Sequence, residues 1–509
     1  MNGEPLRILV VAMFLPTPAT RGIQRRVEGL MKALSRRHEV SVICYADPLS
    51  DAPEGEAAMR EYCKAVTLVQ PSFPNGLLSK RLQQSMSLFS RRSFVHRQVG
   101  TRAFQRALDD LLARETFDVV NVELPFMAHF RFEPGPGRPR PLLVLDEHNI
   151  EFDLARQSAA EGLGLARRAY NTIDYLKIRR EEVAVWRRFD GTLFASELDQ
   201  ARACKLLPGI RSAVVPNAVD VDYFRPRPTA PPSDGKTLLF FGTQRYFPNL
   251  DGLLYFLREV WPVLSRRLPH SRVKIVGDGP APEVLACRGP RVEVTGLVDD
   301  VRPHLASAAV IIVPLRLGGG TRFKIVEAMA MEKAIVSTTT GAEGLEVAPG
   351  RHLLLGDDPR TFTEGVARAL EEPGLATAMG KAARALVESR YSWEASVSRQ
   401  VEFFRTLPGR ATRTASGIRS ASLASAPGAD ATGLTRGGPA AAAARHSLCP
   451  ELRCTRAGHA RARREPCPGL GRQCFPARLC YGTLRELGPL PRPRLFIGKE
   501  APAPRNSRC

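Results

Sequence analysis

Residues 315–331, LRLGGGTRFKIVEAMAM, place three consecutive glycines, two cations and a carboxylate at the start of an apolar helical pattern. Glycine runs cost backbone entropy and persist where no side chain fits or where φ must be positive. Here they would leave bare backbone N–H groups at a helix N-terminus beside Arg322 and Lys324, an arrangement suited to an anion and above all to a phosphate. Lys324 and Glu327 stand three residues apart on one helix face, while Ile325, Val326 and Met329 turn away from it. A diphosphate would gain backbone hydrogen bonds, two cations and a dipole term of about 0.3–1 kcal/mol. Glu327, one turn in, would repel phosphate but accept hydrogen bonds from neutral hydroxyls, with ribose the natural candidate. The same residues would also serve as a plain turn followed by a surface i,i+3 pair.

Such a loop needs a strand before it and a sheet beneath it. Short β-branched runs alternate with longer helical patterns, which predicts parallel sheets built from βαβ units. In the first half the strand candidates are RILVVAMF, EVSVICYA, AVTLVQ, FDVVNVE, PLLVLDEH and GTLFAS, with helical stretches over 97–115 and 153–188. Residues 214–236 then bring five prolines and read as a linker. A second series follows with TLLFFGT, RVKIVGDG, VEVTG, AAVIIVPL, KAIVST and HLLLG, separated by helices such as 249–267, 322–332 and 361–389. The expected fold class is α/β, with two Rossmann-like parallel-sheet domains in tandem. Ligands are expected at the carboxyl ends of the strands and in the cleft between the domains.

The 509 residues suffice for two or three domains. The formal charge of +21 is unevenly spread: from residue 409 onward there are 18 Lys+Arg against 5 Asp+Glu, and before it 55 against 47. No nucleic-acid-binding motif is present in the body, so no specific nucleic-acid partner is expected. Residues 409–509, rich in Arg, Ala, Pro, Gly and Cys without periodicity, read as a disordered or non-native, frame-shifted basic tail and receive no chemistry. Cys44, Cys63, Cys204 and Cys287 are scattered without CxxC spacing, as suits a reducing cytosol, and the tail cysteines lack zinc-site spacing. ILVVAMFL after Arg7 is short enough for a signal-peptide core. A Pro-rich turn and an amphipathic helix follow it directly, however, so it is expected to be the first strand of an α/β domain. No other apolar run approaches the ~20 residues of a membrane helix.

A surface feature points elsewhere. Between Glu61 and Asp109 no acidic residue occurs, but Lys64, Lys80, Arg81, Arg91, Arg92, Arg97, Arg102 and Arg106 do. Leu77, Leu78, Leu82, Met86, Leu88, Phe89 and Phe94 are interleaved with them. Such a segment is either a solvated helix face or a peripheral contact with an anionic membrane.

Several motifs together, VVPNAVDVDYFRP, FFGTQRYFPNLDGLLYF, KIVGDGP, VEVTGLVDDVRPHL and PLRLGGGTRFKIVEAMA, resemble the GT-B glycosyltransferases of family 4, the group 1 type. The resemblance spans about residues 5–407 and is most specific in the last block. Within the family it is similar to bacterial sugar transferases of exopolysaccharide clusters. It implies a nucleoside-diphosphate sugar donor on the second domain and a glycan or lipid-linked acceptor on the first. It also implies retention at the anomeric carbon, no cofactor and no required metal. The setting would be cytoplasmic, with peripheral contact at the inner face of the cytoplasmic membrane.

By that resemblance Arg322 and Lys324 bind the diphosphate, flanked by Gly319, Gly320 and Thr321, and Glu327 binds ribose as the second glutamate of an E-x7-E pattern. Leu297 and Val298 meet the base, Gly22 lies close to the donor phosphates, and Arg245 is the cation available after the first strand of the second domain. His148, in LDEHNIE, takes the catalytic position near the transferring sugar, with Asp146, Asn149 and Glu151 able to orient hydroxyls. The sequence departs from the pattern at Gly319, where the first glutamate would stand, and in lacking the common Arg and Lys after that strand. The implied domains are 1–215, a hinge at 216–236, 237–390, a terminal helix at 391–408 packing back on the first domain, and the tail. The rival readings are a catalytically silent nucleotide-sugar-binding protein and a GT-B sugar-nucleotide epimerase.

Overall fold

The computed structural model describes residues 4–408 except 20–21, 47–51, 72–76, 161–163, 228–232 and 319–320, so Gly319, Gly320 and the tail lie outside the described residues. The first domain carries seven strands: β1 (Arg7–Ala12), β2 (Glu39–Tyr45), β3 (Ala65–Val69), β4 (Val119–Glu123), β5 (Leu142–Glu147), β6 (Gly191–Phe194) and β7 (Ser212–Val214). They form one parallel sheet in the order β3-β2-β1-β4-β5-β6-β7. The second domain adds β8 (Thr237–Phe241), β9 (Arg272–Val276), β10 (Val292–Gly296), β11 (Val310–Val313), β12 (Ala334–Ser337) and β13 (Leu354–Leu355), ordered β10-β9-β8-β11-β12-β13, again parallel. The two Rossmann-like sheets expected from the sequence are therefore both present.

Helices cover both faces of each sheet, which is why the central strands are apolar throughout rather than alternating. The β1 residues Ile8, Leu9, Val10, Val11 and Ala12 are all buried. Strand order reverses between β1 and β4 and between β8 and β11, and at each reversal a crevice opens at the carboxyl ends of the strands. The chain places its charged and polar strand ends there: Glu123, Asp146, Glu147 and His148 in one sheet, the glycine loop in the other.

Three differences from the sequence reading have local causes. The helix expected over 97–115 breaks into Phe94–Val99 and Arg102–Arg114, because the Thr101 hydroxyl accepts the Phe104 N–H and caps a new helix. The stretch 361–389 breaks at Pro373, which can start a helix but cannot continue one, giving Pro359–Glu371 and Pro373–Arg390. The three-residue β7 is too short to give a periodic signal.

Two stretches of chain cross between the domains, and they run side by side. The Val219 N–H donates to Tyr391 O at 2.8 Å, and the Ser396 hydroxyl donates to Pro216 O at 3.1 Å. After the second crossing the helix Trp393–Thr406 returns to the first sheet, where Val401, Phe403, Phe404 and Leu407 pack with Ile8, Val10 and Leu193. Gly29 makes that docking close, since a Cβ there would stand 2.2 Å from the Trp393 ring. Alanine in a helix interior ordinarily gains up to about 1 kcal/mol over glycine. Gly29→Ala is expected to do the reverse and lower unfolding stability by about 1–3 kcal/mol in urea titrations, as overpacking does.

Candidate active site

The corner where β4 and β5 end is fully buried and polar. His148 Nε2 lies 2.7 Å from Glu123 Oε2, and Glu123 Oε1 accepts from Asn121 Nδ2 at 2.7 Å. Burial pushes the Glu123 carboxyl up to about 7, although Arg26 and Asn121 oppose the shift. Burial likewise drives His148 down to about 3, so near neutrality the imidazole is uncharged. Beside them Asp146, 0% exposed, accepts from Arg26 at 2.7 and 3.3 Å, and Arg26, 1% exposed, also donates to Asn217 Oδ1 at 3.1 Å. Between Glu123 and Pro125 the backbone of Leu124 holds φ at 70°, a region non-glycine residues avoid, so this corner stores strain of about 1–3 kcal/mol.

Across the cleft the helix Phe323–Ala330 starts after the glycine loop, with Arg322 at its N-cap position. Ile325, Val326 and Met329 are buried in the domain core, which fixes the rotation of the helix. Lys324 Nζ donates to Asn249 Oδ1 at 2.8 Å and stands 4.4 Å from the Phe240 ring centroid. Burial, then the nearby Arg322, hold Lys324 down at about 7. Arg322 is buried and its guanidinium lies against Gly318, where a Cβ would meet Nη2 at 2.9 Å. Glu327 does not form the i,i+3 pair with Lys324. It reaches instead to the first domain, accepting from Arg25 Nη1 at 2.5 Å, and burial raises its pKa against the pull of Arg25 and Lys324.

The two halves touch at further points. Asn217 Nδ2 donates to Thr321 O at 3.2 Å, and a Cβ on Gly22 would lie 3.4 Å from the Phe323 ring. Arg202 Nη2 donates to Glu343 at 3.2 Å. Gly22, Thr321, Arg322, Lys324 and Glu327 are thus gathered at one seam, with Arg26 linking the His148 corner to it through Asn217. Arg245 is turned away to Asp278 at 2.8 Å, and Leu297, 70% exposed, sits with Val298 on the loop after β10. Asp146, expected to face ligand hydroxyls, spends both oxygens on Arg26. Residues that the sequence did not single out are Arg25, Arg26, Glu123, Asn217, Asn249 and Gln244. The last is buried after β8, and among the described residues neither of its side-chain amide atoms has a partner.

Residues 235–372 match the model of the glycosyl transferases group 1, and residues 20–223 match that of Glycosyltransferase Family 4. The chain belongs to the family 4, group 1 glycosyltransferases. This glycosyltransferase is 21% identical over 374 residues to an uncharacterized 44.6 kDa protein in the cps region of Klebsiella pneumoniae, covering 71% of the chain and 90% of that relative. It is 27% identical over 215 residues to a GDP-mannose-dependent monoacylated alpha-(1-6)-phosphatidylinositol monomannoside mannosyltransferase of Corynebacterium glutamicum, covering 38% of the chain and 56% of the relative. In fold it is similar to sucrose-phosphate synthase of Thermosynechococcus elongatus (TM-score 0.56, 16% identity, 79% of this chain and 99% of that one). It is also similar to HepE of Anabaena, solved with UDP and glucose (TM-score 0.53, 14% identity, 79% and 100%). The architecture of the two domains is GT-B.

Among the described residues, Glu123, Asp146 and His148 have ligand-type atoms within 4.8 Å of one another, a grouping that could in principle hold a metal ion. The positive charge beside them is already supplied by the Arg26 guanidinium, 2.7 Å from Asp146. Removing one partner of a fully buried ion pair costs about 3–5 kcal/mol, because the other charge is left unpaired. Arg26→Met is expected to lower unfolding stability by about that amount in urea titrations. The double variant Arg26→Met/Asp146→Leu should recover a large part of it, and two strictly additive losses would contradict this account.

Proposed function

We propose that this glycosyltransferase binds a nucleoside-diphosphate sugar on its second domain and passes the sugar, with retention, to a glycan or lipid-linked acceptor on its first. The setting would be bacterial exopolysaccharide or envelope glycan synthesis, at the cytoplasmic side. The observation that carries this reading is the start of helix Phe323–Ala330, where Arg322, Lys324 and the helix N-terminus converge and Glu327 follows one turn later. The UDP bound to HepE, the GDP-mannose dependence of the corynebacterial relative and the cps region of the Klebsiella relative support it.

Chemically the site works by position and charge. Arg322 and Lys324 offset the charge that develops on the departing diphosphate, and with the helix N-terminus they supply enough positive charge for the reaction to need no metal. His148, neutral and fixed by Glu123, lines the place of the transferring sugar. Leu297 and Val298 meet the base through their backbone, and Gly22 lets the first domain approach the phosphates. Glu327 takes the ribose hydroxyls once Arg25 releases it, so donor binding exchanges an interdomain ion pair for substrate contacts.

Lys324 gives this reading a pH test. With its pKa lowered to about 7, the cation is present below neutrality and lost as pH rises through 7, so affinity for an intact sugar nucleotide should fall about tenfold per unit above that point. Thermal shifts against UDP-, GDP- and ADP-sugars, read from pH 6 to 9, measure this directly. Lys324→Arg should flatten the dependence. Arg322→Ala should abolish stabilisation, which at a hundredfold excess over Kd is about 2.7 kcal/mol in the parent. Stabilisation unchanged in Arg322→Ala would remove the donor site from this loop.

The acceptor side carries an apolar patch. Phe89 is 93% exposed, with Met86 and Leu88 beside it and Ile173 and Leu176 on the helix Leu165–Arg188. The elements are tied together by Lys177 Nζ donating to Ser87 O at 2.6 Å and by Ser87 Oγ near Tyr170 OH at 3.1 Å. Arg91 and Arg97 are exposed nearby, while Lys64 from the same basic stretch is bound to Glu39. Leu77, Leu78, Lys80, Arg81 and Leu82 have side chains outside the described set. No helix among the described residues is long and apolar enough to cross a membrane. The patch is the contact proposed for an anionic bilayer. Co-sedimentation with vesicles containing anionic lipid should fall at least fivefold in Phe89→Ser/Arg91→Gln/Arg97→Gln, and unchanged binding would end the idea.

A further inference from the structure

The first domain contains a cavity of about 220 Å³ that the donor site does not use. Its floor is apolar, with Phe126 and Val185, and its polar wall holds Arg92, His96, His129 and Arg188 together with Glu181. Arg92 Nη1 lies 2.5 Å from His96 Nε2. A guanidinium can only donate, so that nitrogen is the acceptor and the imidazole proton sits on Nδ1, 3.5 Å from Glu181 Oε1. The Glu181 oxygens are taken up locally, Oε1 by the Ser93 N–H at 2.9 Å and Oε2 by the Ser93 hydroxyl at 2.6 Å. Glu182, also in the wall, is pushed well up by burial and by Glu151, towards its neutral form.

The balance of charge is positive. Among the described residues no carboxylate pairs with Arg92 or Arg188. The field is visible in His129, which burial, His96, Arg92 and Arg188 together hold down at about 3 even though it donates to Phe126 O. Such a cavity favours a compact anion, and paired guanidiniums suit a phosphate ester.

Its position decides what that ester belongs to. Phe126 follows Glu123 by three residues, and Glu182 accepts the N–H groups of Glu151 and Phe152 at 2.9 Å each, just beyond His148. Two elements of the His148 corner, the turn after β4 and the helix start after His148, thus continue into or are held by the wall of the cavity. On its other side Arg92 stands three residues past Phe89, the most exposed apolar side chain of the proposed membrane contact. We propose that this cavity is the acceptor's anchoring subsite and binds the phosphate or diphosphate of a lipid-linked acceptor, with the lipid leaving over Phe89 and the sugar end turned towards His148. The proposal rests on the reading of the first domain as the acceptor domain.

The test uses the full chain and three probes: geranyl phosphate, geraniol and glucose 1-phosphate, titrated by calorimetry. Arg188 makes no hydrogen bond or ion pair among the described residues, so Arg188→Gln should fold normally, with an unchanged melting temperature as the check. Geranyl phosphate is expected to bind the parent at least tenfold more tightly than either other probe, and to weaken at least tenfold in Arg188→Gln and further in Arg188→Glu. Arg322→Ala should leave its binding intact while losing sugar-nucleotide binding, which separates failure of this subsite from failure of the donor reading. Geranyl phosphate binding that is insensitive to Arg188 would overturn the subsite. Glucose 1-phosphate binding as tightly as geranyl phosphate would overturn the lipid assignment.

Discussion

A single guanidinium, that of Arg26, holds the centre of the molecule together. It is almost wholly removed from water, and its bonds go to Asp146 at the end of β5 and to Asn217 on the stretch that crosses between the domains. A buried charge is tolerated only when its hydrogen bonds are satisfied, so Asp146 and Asn217 are constrained as strongly as Arg26 itself. Asn217 then reaches Thr321 at the edge of the glycine loop. The proposed catalytic corner and the proposed phosphate loop are thereby linked through one cation and the amide of Asn217.

Electrostatics divide the cleft into two zones of opposite character. On the first domain, burial disfavours charge on both Glu123 and His148, and the charge of Asp146 is matched by Arg26, so the corner is polar with little net charge. On the second, Arg322 and Lys324 keep a positive field at the head of a helix, and Lys324 is poised so that an arriving anion would complete its protonation. A first-domain site of low net charge facing a cationic second-domain site is what the proposed transfer with a charged leaving group requires. The interdomain pair with Arg25 occupies Glu327, the carboxylate proposed to take the ribose hydroxyls.

The sequence was most informative where causes are local. Central strands buried on both faces, such as β1, β4 and β11, appear as unbroken apolar runs, and the edge-side β9 and β10 as alternating ones, whereas the three-residue β7 gives neither signal. The spacing of Arg322, Lys324 and Glu327 on one short helix was likewise readable, because a helix fixes neighbours three apart. Partners distant in the chain were not readable. Arg25 meets Glu327 across 302 residues, Arg26 meets Asn217 across 191, and Asp146 lies 120 residues from Arg26. Nothing in the local pattern of the first helix separates Arg25 and Arg26 from ordinary surface arginines, and topology alone turns one inward and the other across the cleft. Asn249, in the first turn of the helix Phe247–Tyr255, shows the same limit: its role emerges once Lys324 is seen to rest on it.

The doubled crossing between the domains has a mechanical corollary. Two covalent tethers far apart would let the domains twist, slide or separate to different extents at each end. Here the tethers are fastened to each other, Val219 to Tyr391 and Ser396 to Pro216, so they act as a single pivot. A shared fastening of this kind opposes sliding and separation of the domains at that end and leaves rotation about it as the relative movement the tethers permit. Any such rotation would separate Arg25 from Glu327, the ion pair that joins the two domains across the cleft. The fastening thus sets how the two faces of the cleft, the His148 corner and the head of helix Phe323–Ala330, are brought opposite one another.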